Sequence, residues 1–371
     1  MTLLLVAAAL IVAFANGAND NFKGVATLYG SRLASYRAAL GWATVSTLAG
    51  SLSAVLLSGG LVRRFSGRGL VADTLAADPA FLLAVAFGAA STVLLATLLS
   101  FPVSTTHALT GGLLGAGMAL AGPGHVSYGV LVASFVLPLL LSPALSLLLA
   151  AAVYPPLRWA RNRLGVTEET CVCVAGVEQF ATYLPGGASV RTAGGLTGAV
   201  DSLERCERRY KGSVVGFSAQ ALVDRAHVLS AGAVGFARGL NDTPKIASLL
   251  VAAQALGITS GMSLTAAVMA IGGVLGARRV AETISFRITS MSHGQGLCAN
   301  LVTAALVTLA SPLGLPVSTT HVSCGALFGI GAASGQARWR TIGAILLAWV
   351  VTLPLAAVLA ALAARATRSL S

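Results

Sequence analysis

Two short polar motifs, each present twice, contain the residues of this chain whose types and spacing could do chemistry. The first motif is Gly-x-Asn-Asp, at 17–20 and 239–242, and each copy is followed by a lysine, Lys23 or Lys245. The second motif is Pro-Val-Ser-Thr-Thr-His, at 102–107 and 316–321. Both motifs occur in the same order in each half, within strongly apolar sequence. The chain is therefore an internal duplication.

Each half supplies donors for an anion and oxygen ligands for a cation. Hydroxyl groups and free backbone N–H groups at a helix start bind tetrahedral oxyanions, because the donors converge and the helix dipole favours negative charge. Carboxylate and amide oxygens beside them suit a small cation or a proton. Together they indicate a coupled symporter. The residues concerned are Asn19, Asp20, Lys23, Ser104, Thr105, Thr106 and His107 in the first half, and Asn241, Asp242, Lys245, Ser318, Thr319, Thr320 and His321 in the second.

The same residues also admit structural roles. Serine and threonine in membrane helices often hydrogen-bond the backbone or a neighbouring helix, and an Asp and a Lys three residues apart can form a plain ion pair. A charge in mid-membrane costs about 3 kcal/mol or more, however, and is a functional candidate by default. Duplication of the whole set favours a binding site. Nearby, His107 and His321 are predicted to orient hydroxyls or cap the backbone, and Arg225 and Arg238 to be interfacial anchors.

The composition is that of a polytopic membrane protein. Charged residues make up 10% of the chain, against roughly 25% in soluble domains, and the mean hydropathy is +0.84. The net charge of +12 comes from basic residues between apolar segments, which set orientation and contact anionic membrane lipid. No basic segment is interleaved with aromatic residues, so nucleic-acid binding is not predicted. The expected location is the plasma membrane.

Apolar runs of roughly 20 residues can span a membrane. The sequence predicts four such spans in each half. Each Pro-Val-Ser-Thr-Thr-His segment is predicted to start a helix inside the membrane, as one arm of a re-entrant hairpin. The spans with Gly-x-Asn-Asp are predicted to be interrupted there, a feature typical of transporter binding sites. The runs are 2–28 (interrupted), 38–57, 81–100 and 126–153, then 226–250 (interrupted), 264–280, 297–310 and 342–364.

The duplication divides the chain into a first membrane repeat at 1–153, a polar extramembrane insert at 154–224 and a second membrane repeat at 225–371. Gly111 and Gly115, like Gly325 and Gly329, have the small-xxx-small spacing of close helix packing. An inverted repeat needs an odd number of crossings in each half, so the count of four does not by itself predict inversion.

Five cysteines raise the question of a metal site. Cys298 and Cys324 lie in apolar sequence and are predicted to be core residues. Cys171, Cys173 and Cys206 lie in the insert, but structural zinc takes four ligands at different spacing. A metal site is therefore not predicted there, and no function is assigned to the insert.

At this point the two motifs, in this order in both halves, resemble the inorganic phosphate transporter (PiT) family of cation–phosphate symporters. The resemblance implies an all-α polytopic fold with two inverted repeats, broken helices and two re-entrant helical hairpins, in a homodimer without a cofactor. It also implies that phosphate contacts Asp20, Ser104, Thr105, Thr106, Asp242, Ser318, Thr319 and Thr320. Lys23 and Lys245 are predicted to contact phosphate as well, because a fixed ammonium group beside the site attracts the anion. The coupling cation, Na+ or H+, would contact Asn19, Asn241, Asp20 and Asp242.

One residue departs from the family pattern. The first motif usually continues Asn-Asp-x-x-Asn, and here Lys23 occupies the place of the second Asn. A fixed ammonium group attracts an anion but disfavours a sodium ion close by, so protons become more plausible as the coupling ion. Related members carry sulfate, which is the alternative substrate.

The sequence thus predicts a secondary active transporter for phosphate, driven by a cation gradient, and not an enzyme. In the expected mechanism, a cation binds and offsets the negative charge of the two carboxylates. One repeat-based bundle then moves against the other. An intramembrane hydrolase using Ser, His and Asp is a weaker alternative, because a triad needs one nucleophile and not two complete sets. A passive anion channel is the other alternative. Concentrative uptake would distinguish a symporter from a channel.

Overall fold

The computed structural model describes residues 1–167, 169–176, 181–183, 189–191, 196–202, 204–205 and 215–369. The chain forms two compact units, one made of Met1–Tyr154 and His227–Ser371 and the other of Pro155–Ala226. Cys206, considered above as a metal ligand, lies outside the described residues.

The helices of the two halves follow the same order. Each half has a helix with the Gly-x-Asn-Asp motif, a second long helix, a pair of helices joined by a short linker, and a long closing helix. In the first half the helices are α1 Thr2–Asp20, α2 Ala26–Gly30, α3 Tyr36–Leu57, α4 Gly59–Phe65, α5 Asp73–Ala76, α6 Pro79–Leu98, α7 Thr105–Leu120, α8 Tyr128–Leu131 and α9 Leu137–Arg163, with a 3-10 turn at Pro123–His125 and a π-helical segment at Val132–Val136. In the second half they are α10 Ala219–Ala252, α11 Ile258–Gly276, α12 Arg278–Glu282, α13 His293–Ala310, α14 Thr319–Ser334 and α15 Trp339–Ser369, with a π-helical segment at Thr283–Arg287.

Six helices in the described part of the chain are long and apolar enough to cross a membrane. The remaining predicted spans, 226–250 and 297–310, are also helical, as parts of α10 and α13, but they carry more polar residues. The six are Thr2–Asp20, Tyr36–Leu57, Pro79–Leu98, Tyr128–Arg163, Ile258–Gly276 and Trp339–Arg368.

The predicted interruption of the first span is confirmed, directly after its Gly-x-Asn-Asp motif, whereas the predicted interruption of the second span is wrong. Helix α1 stays helical to Asp20 and ends there, whereas α10 continues through its motif and past Pro244 to Ala252. Pro244 has no backbone N–H to donate to the Leu240 carbonyl one turn earlier. The Ser58 hydroxyl donates to that carbonyl instead, at 3.0 Å. A side chain from the first half therefore replaces the missing helix bond.

Replacing Ser58 with alanine is expected to destabilise the fold by about 1–3 kcal/mol, because it removes the donor to a buried carbonyl. The thermal unfolding of purified protein in detergent measures this. Ser53→Ala is the matched control, since the Ser53 hydroxyl is exposed and donates to Ala49 O within its own helix. Equal unfolding temperatures for the two variants would contradict the role given to Ser58.

Both Pro-Val-Ser-Thr-Thr-His segments start a helix, as predicted. The Ser104 hydroxyl accepts the backbone N–H of His107 at 3.1 Å, and α7 begins at Thr105. The Ser318 hydroxyl accepts that of His321 at 3.2 Å, and α14 begins at Thr319. Helices α6 and α7 pack against each other, as do α13 and α14. The depth of these hairpins in the membrane and the inversion of the repeats stay predictions.

Long helices of one half pack extensively on helices of the other half. α1 packs on α11, and α6 and α7 pack on α15. A Cβ atom on Gly115 would overlap the Ala357 backbone, and one on Gly329 would overlap the Leu147 backbone, so the predicted close packing is confirmed at both places. These glycine faces interlock the two halves, and the movement of one repeat-based bundle against the other stays a prediction.

The apolar core is correspondingly mixed. One buried cluster combines α1, α6 and α7 with the ends of α10 and α15, and a second combines α13 and α14 with α2 and α3. Each cluster thus contains one helical hairpin together with helices from both halves. Cys298 and Cys324 are buried in the second cluster, as predicted.

The insert contains strands that the sequence interpretation did not predict. β1 Thr170–Gly176 lies between β4 Leu196–Ser202 and β5 Val215–Ser218 in a three-stranded antiparallel sheet, and β2 Ala181–Tyr183 pairs with β3 Ser189–Arg191. Cys171 and Cys173 are buried while Val172 and Val174 are exposed, which is the alternation of a strand with one covered face. The membrane unit itself is helical, as predicted.

Candidate functional site

The two halves bring their polar motifs together in one buried cluster. The amide nitrogen of Asn16 lies 3.0 Å from Asp20 Oδ2 and 3.4 Å from Asp242 Oδ2. One side chain therefore contacts the carboxylates of both halves. Asp20 is 1% exposed and Asp242 is 3% exposed. The structure places these two predicted site residues side by side, away from the protein surface.

Each half has a run of three hydroxyl side chains at a helix start, residues 104–106 or 318–320 (the hydroxyl runs). The first threonine of each hydroxyl run contacts the aspartate of its own half. Thr105 donates to Asp20 Oδ2 at 3.5 Å, and Thr319 donates to Asp242 Oδ2 at 3.2 Å. These contacts form because each helix start faces the end of the motif in its own half. The starts of α7 and α14 therefore both lie in the cluster.

The second threonine of each run contacts the lysine of the other half. Lys23 donates to Thr320 and to Asp20, and also to the Val103 carbonyl at 3.1 Å. Lys245 donates to Thr106 at 2.8 Å, to Asp242 at 3.4 Å and to the Val317 carbonyl at 2.7 Å. The ion pairs considered above are formed, but each lysine also connects the two halves.

The asparagines of the motifs hold the hairpin linkers. Asn19 donates to the Phe101 carbonyl at 3.0 Å and accepts from the Val103 N–H at 3.1 Å. Asn241 donates to the Val317 carbonyl at 3.1 Å. With the serine caps, these contacts fix where each hydroxyl run begins. Asn19 and Asn241 thus position the cluster and lie next to the acids.

Arg238 belongs to this cluster, so its interpretation as an interfacial anchor is wrong. It is 1% exposed, it donates to Asn16 Oδ1 at 2.7 Å and to Asn21 Oδ1 at 3.0 Å, and its Nε lies 3.8 Å from Asp242 Oδ2. The signal in the sequence was its position four residues before Asp242, on the same helix face. Arg225, by contrast, is exposed.

The two histidines do not orient the hydroxyl runs. The rings of His107 and His321 lie against each other, with centroids 4.4 Å apart, and Trp349 stacks on His321 at 3.9 Å. The Trp349 indole also donates to the Pro102 carbonyl at 3.0 Å. Only the backbone N–H of each histidine takes part in the helix start. The rings join the two hairpins to each other and to α15.

The formal charge of the described cluster is positive. The carboxylates of Asp20 and Asp242 face the ammonium groups of Lys23 and Lys245 and the guanidinium group of Arg238, so one positive charge is in excess. Hydroxyl donors and the starts of α7 and α14 add to the attraction for negative charge. The arrangement is suited to a small anion with several acceptor oxygens.

Comparison with known proteins identifies the family. Residues 16–360 match the phosphate transporter family. The chain belongs to this family. A protein of Rhizobium meliloti (strain 1021) named a probable low-affinity inorganic phosphate transporter is 29% identical, over 96% of this chain and 94% of its own length. One of the same name from Mycobacterium tuberculosis strain H37Rv is 26% identical, over 97% of this chain and 76% of its own length.

A solved structure shows the same fold. A protein described as the sodium-dependent phosphate transporter superposes with a TM-score of 0.75 at 20% identity, covering 100% of this chain and 99% of its own. This member of the phosphate transporter family is accordingly a multi-pass membrane protein and not an enzyme. The intramembrane hydrolase alternative is thereby excluded.

Proposed function

We propose that the chain is a symporter that carries inorganic phosphate across the membrane, driven by a cation gradient. The observation that supports this most directly is the buried meeting of two hydroxyl runs, two lysines and two aspartates, one set from each half. The family membership supports phosphate as the transported anion.

Phosphate has enough acceptor oxygens to use donors from both halves at once. Thr106 and Thr320 are already hydrogen-bonded to a lysine of the opposite half. An anion that enters between them can accept from the hydroxyl and the ammonium of each pair, and hydrogen bonds to charged donors are about twice as strong as neutral ones. Binding would then replace contacts between the halves with contacts to phosphate.

Because the cluster is buried, transport requires that it open to each side of the membrane in turn. The two hairpins lie in different apolar clusters, each of which mixes helices of both halves. We infer that the moving groups are these mixed clusters and not the repeats. The homodimer implied by the family resemblance is part of this proposal.

Uptake into proteoliposomes tests the function. Purified protein is reconstituted, and the entry of labelled phosphate is compared with that of labelled sulfate under separately imposed sodium and proton gradients. We expect phosphate to accumulate above the outside concentration and to leak out when the gradient is dissipated. Accumulation of sulfate alone would establish the alternative substrate. Equilibration without accumulation under every gradient would indicate a channel.

Both hydroxyl runs should be needed. Thr105→Val and Thr319→Val are each expected to lower the initial rate of phosphate uptake about tenfold, because each removes a buried hydroxyl whose aspartate partner remains. Thr92→Val is the control, since Thr92 is buried but donates to Gly88 O within its own helix. Full activity of either site variant would show that one hydroxyl run is dispensable and would contradict a two-sided site.

A further inference from the structure

We propose that the ammonium groups of Lys23 and Lys245 are resident cations of the site, so that phosphate uptake by this chain does not require sodium. This inference rests on the proposed function and concerns its coupling ion. It follows from the surroundings of the two ammonium groups and from the charge of the whole cluster.

Each ammonium group lies in a cage of three different oxygen types. Around Lys23 these are the Asp20 carboxylate, the Val103 carbonyl and the Thr320 hydroxyl. Carboxylate, backbone carbonyl and hydroxyl oxygens are hard ligands, and transporters use unwound backbone carbonyls of this kind to coordinate sodium. The Lys23 Nζ therefore takes the position that a small cation would need.

The second cage repeats the first with the halves exchanged. Around Lys245 the oxygens belong to the Asp242 carboxylate, the Val317 carbonyl and the Thr106 hydroxyl. Val103 and Val317 occupy the same place in their motifs, as do Thr106 and Thr320. Two matching cages, each filled by a covalently attached cation, are not explained by one incidental ion pair.

The charges of the cluster also leave no unmatched acid for a sodium ion. The two carboxylates are paired with the two lysines, and Arg238 adds a third positive charge within 3.8 Å of Asp242. A sodium ion would raise the positive excess from one to two in a buried site, where uncompensated charge is costly. A monovalent oxyanion would instead reduce the excess to zero. The chain itself therefore already provides the offset of the carboxylates that a sodium ion would otherwise supply.

The test compares sodium with an impermeant organic cation. Proteoliposomes are energised by the same imposed proton gradient, with either sodium or N-methyl-D-glucamine outside, and the initial rate of labelled phosphate uptake is measured. We expect equal rates for the unaltered protein. In Lys23→Asn the shorter side chain leaves the cage open, so the rate without sodium should fall at least about tenfold, and added sodium should restore it. Lys245→Asn should behave alike.

Arg340→Asn is the control, because it removes one exposed positive charge at the start of α15, away from the cluster. A strict sodium requirement of the unaltered protein would overturn the inference and leave the proposed function standing. Active lysine variants with no response to sodium would overturn it too. If neither lysine variant can be reconstituted, the comparison on the unaltered protein still decides. Absence of phosphate uptake by folded, unaltered protein under every gradient would instead contradict the proposed function.

Discussion

Replacing Asp20 with asparagine is expected to reduce phosphate uptake at least about a hundredfold, since breaking a buried ion pair costs about 3–5 kcal/mol. The carboxylate accepts from Lys23, Asn16 and Thr105 at once. An amide in its place leaves the Lys23 ammonium group buried beside a neutral partner, and offers the threonine a weaker acceptor. The initial rate of labelled phosphate uptake in proteoliposomes measures the loss.

The duplication provides a second form of the same experiment. Asp242→Asn should cause a loss of similar size, because Asp242 has the equivalent contacts to Lys245 and Thr319. Asp73→Asn makes the same chemical change at an exposed helix start and should leave uptake unchanged. Uptake by either cluster variant within a few-fold of the unaltered protein would show that the paired carboxylates are not part of the transport site.

A single methyl group on Gly115 should strongly destabilise the membrane unit. A Cβ atom there would overlap the backbone of Ala357, which belongs to α15 and cannot move aside like a flexible side chain. Overpacking of this kind costs about 1–3 kcal/mol, and contact with backbone places Gly115→Ala at the upper end of that range. Thermal unfolding in detergent and the yield of monodisperse protein measure the effect.

Gly343→Ala is the matched control for this substitution. Gly343 also lies in a long helix, but a Cβ atom there would have open space. Alanine favours a helix over glycine by about 1 kcal/mol, so this variant should be equal to or more stable than the unaltered protein. If Gly115→Ala were as stable as Gly343→Ala, the close approach of α7 and α15 would not be a requirement of the fold.

The sequence was sufficient for the features that depend on local pattern. Apolar runs predict the spans, and Ser104 and Ser318 predict the two helix starts, because capping is decided within a few residues. The repeated motifs also predict which residues belong together. The structure brings Asp20, Asp242 and both lysines into one buried cluster.

The features that were missed depend on partners far along the chain. The helix through Pro244 stays continuous because Ser58 donates to a carbonyl 182 residues away. Arg238 is buried because Asn16 and Asn21 of the other half accept from it, and no local pattern records that. The packing partners of the small-residue faces were missed for the same reason, since these faces indicate close packing without indicating which helix they meet.

The interlocked helices bear on how such a chain could have arisen. A polypeptide with one repeat alone would leave the glycine faces of α1 and α7, and one ammonium cage, without the surfaces that complete them. Two copies of it could complete one another. The present chain joins two equivalent halves in one polypeptide, so equivalent positions are free to differ. Arg238 faces Asn16, whereas two separate identical copies would carry the same residue at both places.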